Sequence, residues 1–357
     1  MDSVDGEMPQ IGSALGVASR LVEPRIALAV MREHYGRDGT VSVLGSEKDG
    51  NFHVRDRNGA EFLLKIVNPH EPAGISDFQT MLLLHLERAE PPQPVQKLVR
   101  TTDGRADFDI TLDDEGPRRV RLTTFMSGVL MRDLGGGPNR ELAIGAALAR
   151  LQLALDGFSH PFASHELIWD LQHAGRLRSL VPAIAEPDRR RALERRLDLF
   201  EADVSPVLRS LRRQVVHNDF SGDNVLVDRR DPDRVTGILD FGDAVETAVI
   251  IDVAVAAAYQ LDFAAGDPLP VLQRVLAGFQ AVRALSSEEV AVFYDLVVTR
   301  LVMRLAITEW RAARVPENRN YILRNTSRAW QAFERLIAVP RGAALSAFQH
   351  IHLSGEK

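Results

Sequence analysis

Cysteine is absent from the 357-residue sequence. Its absence excludes a disulfide framework and any thiolate metal site, and leaves the compartment undecided. A basic excess is also lacking. The formal net charge is −6, so a nucleic-acid partner, which needs a basic face, is not expected. A cationic substrate is compatible with this balance, although a solvated acidic surface is its commoner meaning. No long apolar run is free of polar groups. Residues 248–265 are long enough to suggest a membrane span, but they carry Asp252, Gln260 and Asp262, whose burial in lipid is costly. A buried helix is expected there, and no membrane partner. The opening residues, with Asp2, Asp5 and Glu7, lack the basic start and apolar stretch of a secretory signal, so a cytoplasmic location is expected.

Hydrophobic residues make up 45% of the chain and charged residues 26%, enough material for a core and for two lobes. Two motifs carry chemistry. His217, Asn218, Asp219 and Phe220, followed by Ser221, Gly222, Asp223 and Asn224, have the form H-x-D-x-x-x-x-N. After an apolar strand, a turn at Arg230-Asp231-Pro232-Asp233 and a second apolar strand come Asp240, Phe241, Gly242 and Asp243. Either motif alone is modest, since an Asp and an Asn five residues apart often mean only a turn. Their order and spacing around a strand pair point to phosphoryl transfer, which needs a carboxylate to accept a hydroxyl proton and oxygen ligands for magnesium. Asp219 suits the first role, and Asn224 with Asp240 the second.

Residues 24–35 predict a helix, with Pro24 in its first turn and Gly36 past its end. Residues 41–44, 51–55 and 61–66 predict a meander of strands, Asn58-Gly59 marking the last hairpin turn. A further strand is expected at 119–125 and a helix at 76–87. Ile144, Leu148, Leu151 and Leu155 give one apolar helical face, and further helices are expected near 188–212 and 286–312. The glycines of segment 45–51 are too few to separate a phosphate-covering loop from an ordinary hairpin.

The paired motifs resemble those of the aminoglycoside phosphotransferase and choline kinase superfamily, small-molecule relatives of the protein kinases. Neither an Ala-Pro-Glu signature nor a long activation loop follows Asp243. The resemblance implies an α+β, bilobal, protein-kinase-like fold. A small antiparallel five-stranded N-lobe would span residues 1–126 and cover ATP or GTP, and a larger, mainly α-helical C-lobe would span 127–357. Leu63-Leu64-Lys65-Ile66 resembles the strand whose lysine steadies the nucleotide phosphates. The usual acidic partner on the next helix is replaced by Gln79, and Asp77 is the expected substitute. Ser46 falls in the loop over the phosphates, and Phe125 and Met126 in the hinge, where backbone groups would read the base. His217 is expected to brace the catalytic loop.

Trp169-Asp170-Leu171, the run from Asp252 to Ala256, and Pro316 to Tyr321 with Trp330 resemble hydroxylysine kinases and the kinase-like domain of some class III aminotransferase fusions. This likeness implies an acceptor bearing an amine, a carboxylate and a hydroxyl. Arg300 and Arg304, one turn apart, would grip the carboxylate or else form a salt-bridged helix face. Asp243 and Glu246 would meet the amine, with Asp252 either helping them or bracing its helix, and Trp169 and Tyr259 are expected in the core. Kinases of aminoglycosides, homoserine or choline share the catalytic residues. A catalytically silent nucleotide-binding module is the rival of another class. The oligomeric state is not legible.

Overall fold

The computed structural model describes residues 21–45, 49–112, 115–264 and 266–353. Its N-terminal part is a five-stranded antiparallel sheet in the order β1-β2-β3-β5-β4, formed by β1 (Gly39–Leu44), β2 (Gly50–Asp56), β3 (Glu61–Ile66), β4 (Asp107–Thr111) and β5 (Pro117–Thr124). Strand alternation decides its two faces. Phe52 and Val54 of β2 and Phe62, Leu64 and Ile66 of β3 point to one side and are buried. There they pack with Ala27, Val30 and Met31 of α1 (Pro24–Tyr35). Lys65 therefore points to the other side. Helix α1 ends as expected, Gly36 taking φ 62° and donating its N–H to Met31 O, a left-handed cap that costs glycine little.

Helix α2 (Ala73–Leu86) crosses between lobes. Its Phe78, Leu82 and Leu86 join the core of the C-terminal part rather than the cluster under the sheet. β5 leads through residues 125–128 to the short β6 (Val129–Leu130), which pairs with β8 (Val225–Val227), itself paired with β9 (Val235–Ile238). A second ladder joins β7 (Arg213–Val216) to β10 (Val245–Ala248). These short strands form a hairpin platform set in helices.

The helices are α3 (Pro138–Ala154), α4 (Pro187–Leu199), the single turn α5 (Ser205–Leu208), α6 (Val249–Gln260), α7 (Leu269–Gln280), α8 (Ser287–Arg314), the single turn α9 (Arg319–Ile322), α10 (Thr326–Ala338) and α11 (Arg341–Leu353). Ile144, Leu148, Leu151 and Leu155 are all fully buried, as their spacing predicts. Two glycines let α3 meet α7 backbone to backbone. A Cβ on Gly145 would lie 2.0 Å from Val275 O, and one on Gly278 would lie 2.1 Å from Leu142 O.

Helix α8 is buried around most of its circumference and starts with a reciprocal capping box between Ser286 and Glu289, which satisfies two otherwise orphan donors. The helix expected over 188–212 is interrupted. Phe200–Val204 forms a π turn before Ser205-Pro206, because Pro206 has no N–H and its ring crowds the carbonyl four residues back. Residues 248–265 contain the buried helix α6, and among the described residues no helix is long and apolar enough to cross a membrane.

Candidate active site

The catalytic-motif residues sit on the loop between β7 and β8. Asn218 has φ 62°, in the left-handed region that only glycine, asparagine and aspartate visit readily. Its N–H donates to Asp252 Oδ1 at 2.8 Å, and that of His217 donates to Oδ2 at 3.3 Å. Asp252 is fully buried in the first turn of α6, so it braces the loop rather than meeting a ligand. Burial pushes its carboxyl up, against the opposing effects of His217 and of the bonds from Gln152 and the two loop amides.

His217 ties the two motifs together. Its Nε2 faces Leu239 O at 2.9 Å, and its Nδ1 accepts the Asp219 N–H at 3.3 Å. A carbonyl can only accept, so Nε2 is the donor to Leu239 O. Phe220 and Phe241, one from each motif, pack against the ring. Asp240 follows β9 with φ 57°, a second left-handed residue at a motif, and its Oδ1 accepts the Gly242 N–H at 3.0 Å. Two such conformations so close together mark backbone held by its surroundings.

Asp219 has a partner on each carboxylate oxygen. Asn224 Nδ2 donates to Oδ2 at 2.7 Å, and Arg300 donates from its NH2 group to Oδ1 at 3.2 Å. Arg300 is 1% exposed and also donates to Trp169 O and Tyr259 Oη. Arg304 forms a two-point pair with Asp262, at 3.2 and 2.7 Å, and lies over the Tyr259 ring. Both arginines are thus salt-bridged within the chain. Burial, reinforced by the charge of Asp219, pushes the Tyr259 phenol up to about 12, so it stays protonated at neutral pH.

Asp219, Asn224, Asp240 and Asp243 share a cleft of about 490 Å³ with Lys65 and Asp49 from the sheet and with Arg300 and Arg304 from α8. Lys65 Nζ lies 2.9 Å from Asp49 Oδ2. Burial pulls the ammonium down, but Asp49 and Asp240 outweigh it and hold it above its ordinary value. Asp77 is not its partner: its carboxylate reaches His160 Nε2 at 3.0 Å instead. Gln79 is also engaged, accepting from the buried Arg121 at 2.6 Å. The reason is register. Arg121 is the β5 neighbour of Lys65 and draws the α2 side chains, whereas Asn51 is its β2 neighbour and brings Asp49 alongside. Asp49 is the residue that sequence reasoning missed, and the hairpin register was the signal that could have found it.

Several other expectations change. Glu246 lies on β10, outside the cleft lining, and accepts from Ser164 Oγ at 2.8 Å. The Phe125 N–H donates to Glu61 O at 3.0 Å and its ring stacks on His53, so that amide is not presented to a base. Met126 is half-buried beside it. Ser46 lies outside the described residues. Trp169 and Tyr259 pack against the core, as expected, and also line the cleft.

Asn224 and Asp240 fit a magnesium–nucleotide complex. Asn224 donates its amide N–H groups to Asp219, which turns its carbonyl oxygen the other way. Magnesium commonly takes one or two protein oxygens and completes its shell with water and phosphates. Among the described residues no group of three or more His, Asp or Glu is placed to hold a metal ion.

Residues 40–289 match the model of a family described as a phosphotransferase enzyme family, APH. A hydroxylysine kinase from Xenopus laevis is 27% identical over 321 residues, which is 83% of this chain and 84% of that protein. Among solved structures, a microcompartment-associated aminopropanol kinase superposes with a TM-score of 0.67 at 18% identity, over 93% of this chain and 99% of the other. An amicoumacin kinase in complex with AMP-PNP, Ca2+ and its ligand gives 0.63 at 15%, over 85% and 94%.

Proposed function

The chain belongs to the APH phosphotransferase enzyme family, is a small-molecule kinase, and from that premise we propose that it moves the γ-phosphoryl group of ATP or GTP, with magnesium, to an alcohol on an amine-bearing small molecule. The observation that supports this reading is the meeting of Lys65, Asp219, Asn224 and Asp240 in one cleft. Asp219 orients the acceptor hydroxyl and takes its proton, its two oxygens fixed by Asn224 and Arg300. Such positioning is worth much in a reaction whose catalysis is mainly orientation and electrostatics. Lys65, kept charged by Asp49, steadies the phosphates. Asn224 and Asp240 hold magnesium, which when bound neutralises charge on the phosphate oxygens. Asp243 meets the acceptor's ammonium. His217 and Asp252 fix the loop and take no part in proton transfer.

Hydroxylysine is the first acceptor to test, on the similarity to hydroxylysine kinases. The reading includes an N-lobe of residues 1–126, a C-lobe of 127–357 and a cytoplasmic setting. The experiment is release of nucleoside diphosphate with magnesium and ATP or GTP across hydroxylysine, homoserine, choline and several aminoglycosides. Selective turnover of hydroxylysine is expected. Turnover of another acceptor alone moves the substrate assignment, and no magnesium-dependent transfer to any of them overturns the reading.

A further inference from the structure

Arg300, Arg304, Thr308 and Arg311 recur at spacings of four, four and three along α8, and all line the cleft. That spacing is one helix face. Its first two guanidinium groups face carboxylates, Asp219 and Asp262. Further along the chain, the described residues that line the cleft after Thr308 are Arg311, Ile322, Arg324, Asn325, Thr326 and Ala329, while its carboxylates come from other segments.

Two independent features there suit an anion. The wall contains the start of α10, whose N-cap Asn325 makes no side-chain cap bond, and a helix start presents backbone N–H groups and the positive end of the helix dipole. Thr326 is 7% exposed, and its Oγ1 is buried with no hydrogen-bond partner. A buried hydroxyl left unpaired costs free energy, and a ligand oxygen reaching this wall removes that cost. A guanidinium carries five N–H donors, so Arg311 and Arg324 can engage an anion while keeping other interactions.

We propose that this end of the cleft receives a carboxylate of the acceptor, bound by Arg311, Arg324 and the Thr326 hydroxyl. The proposal rests on the kinase reading above and extends it. Arg311 lies eleven residues beyond Arg300, about 16 Å along the helix axis, part of which the arginine side chains span. The acceptor is therefore elongated, with the reacting hydroxyl near Asp219 and the carboxylate remote from it. The carboxylate grip expected of Arg300 and Arg304 moves about two to three turns along the same face.

Calorimetry on the full chain with a non-hydrolysable ATP analogue and magnesium separates this proposal from catalysis. 5-Hydroxylysine and its carboxamide are the probes, equal in shape and differing in one charge. The wild type is expected to bind the acid at least tenfold more tightly than the amide. Arg311→Met and Thr326→Val should each shrink that ratio at least threefold while the affinity for the nucleotide analogue is unchanged, which also controls for folding. Equal binding of the two probes, no binding of the acid, or a ratio that survives in both variants overturns the proposal. Discriminating binding without turnover would leave the subsite standing and remove the phosphoryl-transfer reading instead.

Discussion

In the proposed reaction, Asp219 is the residue on which the chemistry turns. Asp219→Asn keeps the size of the side chain but removes the proton acceptor, so turnover should fall by about 10² to 10⁴-fold with nucleotide affinity unchanged. Near-normal release of nucleoside diphosphate would remove Asp219 from that role. The Lys65 partner gives a paired test. Asp49→Asn should raise the KM for nucleotide about tenfold, because the buried ammonium loses its neighbouring carboxylate. Asp77→Asn should leave that KM unchanged, since Asp77 faces His160. If the two variants behave in the opposite way, the register argument fails. The sequence motifs announced Asp219, Asn224 and Asp240 directly. Asp49 was hidden because its meaning depends on a residue paired across a strand.

Between elements, the decisive contacts are backbone approaches and buried polar braces. Alanine in place of a helical glycine ordinarily stabilises by up to about 1 kcal/mol. At Gly278 the added Cβ would lie 2.1 Å from Leu142 O, so Gly278→Ala should instead destabilise by about 1–3 kcal/mol, read from denaturant unfolding. A gain in stability would show that α3 and α7 can part cheaply. Asp252 yields a pH prediction. Burial raises its carboxyl above the ordinary value, so the folded state binds that proton more tightly than the unfolded chain. Its contribution to stability is then fully present below the unfolded pKa of about 4 and is lost as pH rises through the folded value. Compared with Asp252→Asn, the wild type should lose relative stability from about pH 4 towards neutrality, and melting temperatures across that range check it. A difference that does not change with pH would mean that the loop amides outweigh burial.

Across the whole molecule, the cleft is lined by the sheet on one side and by the catalytic hairpin and α8 on the other, while α2 sinks its apolar face into the helical core. A nucleotide that bridges these parts should stabilise them together. At a hundredfold excess over its Kd, ATP or GTP with magnesium should add about 2.7 kcal/mol to unfolding stability, seen as one cooperative shift in melting. Two separate transitions, only one of them shifted, would show that the lobes unfold independently and that the ligand contacts one of them. The family match spans residues 40–289, and the wall bearing Arg311 and Thr326 lies beyond it, in the part of the molecule where acceptor choice is proposed to reside.

Local order was enough to fix much of this protein from its sequence: the strand alternation of the meander, the apolar face of α3, the cap at Gly36 and the two motifs that flank a strand pair. These depend on neighbours close in the chain, where periodicity and turn chemistry act. What only the tertiary structure decided are the pairings between distant segments. Lys65 takes Asp49 because β2 lies beside it, Arg300 takes Asp219 from 81 residues away, and Asp252 returns to the loop it braces. A charge in a sequence has many possible partners, and burial in a particular packing leaves it one.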